Sequence, residues 1–156
     1  AAVRIEALNH ALAGLPEEMI RYHICWGSWH GPHSTDIPLK NVVDLVLKVR
    51  AGAYSIEGAN PRHEHEWQAW EDVKFPDGKV LIPGLIAHTT NTVEHPELVA
   101  WRIKNFARLV GRENVVAGTD CGFSQRALNP RLHPNIVWAK LAVLAEGARL
   151  ASQQLW

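Results

Sequence analysis

The run VLIPGLIAH at positions 80–88 is a short apolar segment that ends at a histidine, and it is the strongest indication of the fold of this chain. It predicts a buried strand over 80–86, of the near-continuous apolar kind found in parallel sheets. Three further segments carry similar signals, at 19–24, 53–56 and 114–117. The four predicted strands begin roughly 30 residues apart, which is the size of one βα unit.

Helical patterns separate these strands. Apolar residues at helical spacing predict helices over 3–12 and 39–49, and two more that begin at Pro96 and Pro134. Gly111 suits the end of the third helix. The stretch 58–78 is predicted to be irregular. The buried stripe of the last helix is predicted to consist of Val137, Leu141, Leu144, Ala145 and Ala148.

Four βα units form about half of a (β/α)8 barrel, which needs eight units and about 250 residues. We therefore predict an α/β chain of the TIM-barrel type, with residues 1–156 as one domain. An unclosed half-barrel exposes strand edges and an inner face expected to be lined by Val, Ile and Leu. The sequence thus predicts either a homodimer or a partner that supplies the missing half-barrel.

Composition narrows the class of protein. The chain has 156 residues, 47% of them hydrophobic, and equal numbers of acidic and basic residues, 16 each. The hydrophobic content argues against disorder, and the charge balance, without a basic stripe, argues against nucleic-acid binding. No run approaches the length of a membrane span, and the N-terminus lacks a secretory leader pattern, which predicts a cytoplasmic protein.

Metal-ligating side chains fall at the ends of successive predicted strands. His23 and Cys25 end the first, and Cys121 follows the fourth. Two thiolates and an imidazole from different strand ends suit zinc and leave a position for a substrate thiol. Two inert buried cysteines are the alternative, and a redox thiol pair ranks third because no Cys-x-x-Cys motif is present.

Four motifs then indicate a family. YHIC at 22–25, SIEG at 55–58, GLIAHT at 84–89 and TDCGF at 119–123 resemble, in order and spacing, the C-terminal half of the cobalamin-independent methionine synthase catalytic domain. The chain is most similar to the short, single-barrel members, which include epoxyalkane:coenzyme M transferase. The resemblance implies that the chain is the C-terminal half of a zinc-dependent barrel.

The resemblance also implies roles for single residues. His23, Cys25 and Cys121 match zinc ligands, and Glu57 matches a carboxylate that serves as a further ligand. His88 matches a histidine that donates a proton during methyl transfer. Asp120 matches a family residue that we expect to support the ligand loop. The segments 26–33 and 58–67 depart from the synthase pattern, so the thiol acceptor and the methyl or alkyl donor stay open.

Weaker candidates surround these residues. Trp29 and His30 are candidate substrate contacts in a Gly/Pro loop, and Arg62 is a candidate anion clamp. The His63 and His65 pair resembles a second metal cluster, but a solvated surface is the favoured interpretation.

Two functions follow from this set. The first is an S-methyltransferase of the methionine biosynthesis type, or an epoxide-opening thiol alkyltransferase, active as a dimer or with a partner half. The second is a non-catalytic half-barrel that keeps zinc for stability. Whether the chain is an enzyme is thus left open by the sequence.

Overall fold

A computed structural model describes residues 2–28, 32–124 and 132–156. Three parallel strands form its sheet, in the order β1 (Arg21–Ile24), β2 (Ala53–Ile56) and β3 (Val80–Pro83). The register pairs His23 with Ser55 and Ser55 with Ile82, so these three side chains share one face. The predicted parallel α/β class is therefore confirmed in its coarse form.

The predicted fourth strand is present only as two parallel bridges, which join Leu81 to Val115 and Gly84 to Gly118. Both bridges join this segment to β3 or to the residue that directly follows β3, so the segment occupies the fourth position of the sheet. The carboxyl ends of all four segments therefore meet at one edge.

Within the described residues, four α-helices accompany the sheet: α1 (Ala2–Ala11), α2 (Val43–Val46), α3 (Pro96–Val110) and α4 (Pro134–Leu155). The irregular stretch contains a 3₁₀ helix at Glu64–Trp70, and shorter 3₁₀ turns lie at Glu17–Met19, Leu39–Asn41 and Arg112–Asn114. None of the described helices has the length and apolar character needed to span a membrane.

The third helix matches its prediction. Pro96 opens α3, and the His95 side chain caps it by accepting a hydrogen bond from the Glu97 amide at 3.2 Å. Gly111 ends it with φ of +90°, a conformation that favours glycine.

The second predicted helix is not continuous, since 39–49 contains a 3₁₀ turn followed by the four-residue α2. Its predicted apolar face is confirmed, because Leu39, Val43, Val46 and Val49 are all buried. Its β-branched valines are poor helix formers. Hydrogen bonds to the Asn9 side chain also hold the end of the segment in another conformation. Asn9 Nδ2 donates to Lys48 O, and Asn9 Oδ1 accepts from the backbone amide of Arg50, both at 2.8 Å.

The predicted stripe of α4 is confirmed in part, since Leu141, Leu144 and Ala148 are partly buried against the core. The fully buried residues of this helix are Lys140, Gly147 and Ala151, and Ala145 is exposed. A glycine is needed at the buried position 147, because a Cβ there would overlap the side chain of Val99 on α3. Close helix packing therefore selects a small residue where the sequence pattern favoured larger ones.

The hydrophobic core lies between one face of the sheet and the helices. Leu81, Leu85, Ile86 and Val99 are completely buried in it, and Tyr54 is 1% exposed. The opposite face carries the exposed His23 and the half-exposed Ser55 and Val116. Ile82 lies on this face as well, so the expected Val, Ile and Leu lining is found on β3 and the segment beside it, while His23 and Ser55 make the face polar on β1 and β2.

Candidate metal centre

Three metal-ligating side chains meet at the carboxyl edge of the sheet. His23 is on β1, Cys25 follows β1 directly, and Cys121 follows the bridge at Gly118. Their ligand atoms all lie within 4.8 Å of one another. His23 and Cys25 reach the same side because alternate residues of a strand share a face. The structure thus brings together three residues that are distant in sequence.

A second group overlaps the first. The atoms of Cys25, Glu57 and His88 also lie within 4.8 Å of one another. The Cys25 thiol donates to Glu57 Oε1 at 3.2 Å, and His88 Nδ1 lies 3.9 Å from the same oxygen. Glu57 and His88 are each only 3% exposed. Cys25 is therefore common to an exposed group and a buried group.

Two serines orient the histidines of these groups. Ser55 Oγ lies 3.1 Å from His23 Nδ1, and Ser28 Oγ lies 2.7 Å from His88 Nε2. A hydrogen bond to one ring nitrogen fixes the orientation of an imidazole and the nitrogen that it presents. Neither serine was predicted to be part of the site: Ser55 opens the SIEG motif, but only its Glu57 was assigned a role, and Ser28 lies outside the four motifs.

Asp120 forms a buried cradle behind the site. Its Oδ1 accepts hydrogen bonds from the amides of Gly58 and Ala59, both at 2.8 Å, and Asn60 Nδ2 donates to Oδ2 at 3.3 Å. Burial raises the pKa of Asp120 to about 6; the two amides oppose the rise, and the charge of Glu57 adds to it. Gly84 lies so close to this carboxylate that a Cβ would overlap it.

Burial and the neighbouring charges disfavour a bare thiolate at Cys25. Burial raises the pKa of its thiol to about 12; the Gly27 amide opposes the rise, while Glu57 and Cys121 add to it. A divalent cation bound to the sulfur would reverse this balance, because it stabilises the thiolate directly. Two thiols, an imidazole and a carboxylate are also a donor set that zinc accepts. The residues present therefore fit zinc.

The weaker candidates are distributed differently. Trp29 and His30 lie outside the described residues. Arg62 is half-buried, and its Nη2 lies 3.5 Å from Gly27 O, close to the segment that follows Cys25. His65 is exposed, as expected, but the expectation of a solvated surface is wrong for His63, which is 3% exposed. Its burial follows from stacking on Trp26 at 4.3 Å and from two carboxylate partners.

Comparison with known proteins finds relatives but no matching family model. The 2-hydroxypropyl-CoM lyase of Xanthobacter autotrophicus is 24% identical over an alignment of 176 residues, covering 97% of this chain and 45% of the lyase. The uncharacterized protein YxjH of Bacillus subtilis is 25% identical over 144 residues, covering 90% of this chain and 37% of that protein.

A solved structure is also similar to this chain. A B12-independent methionine synthase from Shewanella sp. W3-18-1, in complex with selenomethionine, matches with a TM-score of 0.74 and 25% identity. The match covers 97% of this chain and 43% of the synthase chain. The chain thus spans less than half the length of each of these relatives. The resemblance to cobalamin-independent methionine synthases and their coenzyme M relatives is therefore confirmed, at low identity, in both sequence and fold.

Proposed function

We propose that this chain is the zinc-binding part of an enzyme that transfers a methyl or alkyl group to a substrate thiol. The observation that carries the proposal is the convergence of His23, Cys25 and Cys121 within 4.8 Å at the strand ends. The relatives support it, since a methionine synthase and a CoM lyase both take their names from sulfur compounds.

His23, Cys25, Cys121 and Glu57 would hold the zinc. When bound, zinc supplies the positive charge that lowers the pKa of a substrate thiol, so that a nucleophilic thiolate exists near neutral pH. The exposure of His23 leaves this side of the site open to a substrate. Glu57 is tied to Cys25 and, at 3.3 Å, to Asn60 Nδ2, so its carboxylate is already directed at the site.

His88 would act on the other reactant. As the thiolate forms a sulfur–carbon bond, the bond from that carbon to its leaving nitrogen or oxygen breaks, and the leaving atom must gain a proton. A histidine titrates near neutral pH and suits this role as a general acid. The hydrogen bond to Ser28 would fix the ring for the transfer.

A non-catalytic zinc-binding half-barrel is the second candidate. It is favoured by the group of Cys25, Glu57 and His88, because Glu57 and His88 are each only 3% exposed and a metal held there would be enclosed, as in structural zinc sites. In that case the metal would add to folding stability without accepting a substrate.

Thiol binding separates these functions. The zinc-loaded protein would be mixed at neutral pH with homocysteine or with 2-mercaptoethanesulfonate, and proton release would be measured. Release with homocysteine supports the synthase-like reaction, and release with the sulfonate supports the coenzyme M type. A zinc-loaded protein that releases no proton with either thiol would overturn the enzyme proposal in favour of the structural role.

We further propose that the chain is half of a (β/α)8 barrel, completed by a second copy or by a partner. In support, β1 lies at the edge of the sheet, beside a groove of about 630 Å³ lined mainly by β1, α2 and the start of α1. Burial of apolar surface there would stabilise association by about 25 cal/mol per Å².

Light scattering tests the assembly. A homodimer should bury more than about 1,200 Å² and persist at micromolar concentration. A monodisperse monomer with cooperative unfolding, and with no partner present, would contradict the half-barrel.

A further inference from the structure

Two histidines and two acids form a buried run of hydrogen bonds beside the candidate metal centre. Asp36 lies between the histidines, with Oδ2 2.9 Å from His33 Nδ1 and 3.2 Å from His63 Nε2. His63 Nδ1 lies 2.7 Å from Glu66 Oε2. The side chains of His33, His63 and Glu66 are at most 8% exposed, and that of Asp36 is 19% exposed. We call these four residues the histidine–carboxylate chain.

The histidine–carboxylate chain is not a metal site. In the part of the sequence that the structure describes, the groups of ligand atoms close enough to hold one ion are the two that share Cys25. The four residues are absent from both groups. Their chemistry is therefore that of hydrogen bonds and charge.

The histidine–carboxylate chain connects the segment after Cys25 to the turn that follows Glu57. Trp26, the neighbour of Cys25, stacks on His63 with ring centroids 4.3 Å apart. Trp26 Nε1 donates to Ile37 O at 2.7 Å, and Glu66 Oε1 accepts from the Leu39 amide at 2.7 Å. One imidazole thus contacts an indole and two carboxylates that come from both segments.

We propose that His63, held by Asp36 and Glu66, is a positioning residue for Cys25, and that its protonated form ties Trp26 to the turn after Glu57. The inference rests on the proposed role of Cys25 as a metal ligand. Because Trp26 follows Cys25 directly, a fixed indole restricts the backbone that presents the thiol. Outer residues of this kind commonly change metal affinity by about 10-fold or more.

The charges around His63 favour the protonated ring. Burial lowers its pKa, but Glu66, then Asp36 and the more distant Glu57 outweigh burial, so the pKa of His63 lies above its ordinary value. His33 faces the same cluster across Asp36. A raised folded-state pKa stabilises the fold fully below a pH of about 6.5, and this contribution is lost as the pH rises through the folded-state value.

Trp26 fluorescence reports the charge directly, since a protonated imidazole quenches an indole that stacks on it. The difference in emission between wild type and Trp26→Phe would be followed from about pH 5 to pH 9, without metal. We expect emission to rise with a midpoint above 6.5. Asp36→Asn should lower the midpoint, and His63→Gln should abolish the transition.

The matched control is His65→Gln, because His65 is exposed on the 3₁₀ helix that His63 directly precedes, and its replacement should leave the transition unchanged. Persistence of the transition in His63→Gln, its absence in wild type, or an unchanged midpoint in Asp36→Asn would overturn the proposal.

Competition with a chelator tests the positioning role. At fixed pH near 6.5, His63→Gln should bind zinc about 10-fold more weakly than wild type, and His65→Gln should match wild type. Equal zinc affinity in His63→Gln and wild type would overturn the role of His63. A wild type without zinc binding would overturn the proposed function and the positioning of a ligand, while the fluorescence titration would still report a charged His63.

Discussion

The two sides of the candidate metal centre differ in how the chain supports them. On the edge side, His23 lies on β1 at the border of the sheet and is exposed. On the central side, Glu57 and His88 are each 3% exposed, and Asp120 behind them is fully buried. Cys25 contacts Glu57 and lies near His23, so it joins the two sides.

The central side is therefore the part of the site that is organised before any ligand binds. Buried polar groups on the central side are fixed by hydrogen bonds from Ser28, Asn60 and the amides of Gly58 and Ala59. Such networks keep donors in place at no further cost when a ligand binds. We expect the edge side to gain order from the metal and from whatever pairs with β1.

The largest expected effect is the loss of the metal, and it tests whether Cys25 unites the two sides. Elemental analysis should find about one zinc per chain in wild type and almost none in Cys25→Ala or Cys121→Ala, because each variant removes a thiolate ligand. Glu57→Ala should retain part of the metal, since three donors remain. Equal zinc in wild type and both cysteine variants would exclude this site.

A buried ion pair provides the second test, on the central side. Lys140 of α4 is fully buried, and its Nζ lies 2.8 Å from Glu94 Oε2, while Glu94 Oε1 accepts from the amide of Ala87, next to His88. Lys140→Met would leave a buried carboxylate unpaired, which costs about 3 to 5 kcal/mol. Urea unfolding should show this loss, and adding Glu94→Gln should restore much of it.

Lys104→Met is the control for that measurement. Lys104 bonds to Gln154 in an exposed contact, so its removal should change the free energy of unfolding by no more than about 0.5 kcal/mol. A similar loss in both lysine variants would mean that the buried pair does not stabilise the central side.

The third test separates chemistry from metal binding at His88. His88→Asn should keep its zinc, because His23, Cys25 and Cys121 remain. In a transfer assay with the completed barrel, kcat should fall about 100-fold, the scale of a lost general acid. Loss of zinc in His88→Asn would instead make His88 a ligand, in agreement with its place in the group of Cys25 and Glu57.

The sequence predicted the central features well, because local signals specify them. The bounds of β2, the start of α3 at Pro96 and its end at Gly111 all follow from apolar runs, proline and glycine. The alignment of functional residues with strand ends also anticipated the meeting of His23, Cys25 and Cys121.

Tertiary contacts explain what the sequence did not predict. The shape of 39–49 depends on Asn9, and the buried line of α4 depends on Val99 and Glu94, all of them distant in sequence. Asp36 and His63 are 27 positions apart, as are Leu39 and Glu66. Such pairs of polar groups leave no periodic pattern, so the burial of His63 could not be inferred from its neighbours.

Replacing the two serines should have the smallest effects, and it tests whether the two sides of the site act separately, because each serine contacts the histidine of one side. Ser55→Ala should weaken zinc binding up to about 10-fold, since His23 loses the contact that orients its ring, and leave transfer by the zinc-loaded protein nearly unchanged. Ser28→Ala should keep zinc affinity and slow the transfer, because His88 loses its partner. Chelator competition and kcat measured on both variants give the result, and if both serines changed zinc affinity alike, the two sides would act as one unit.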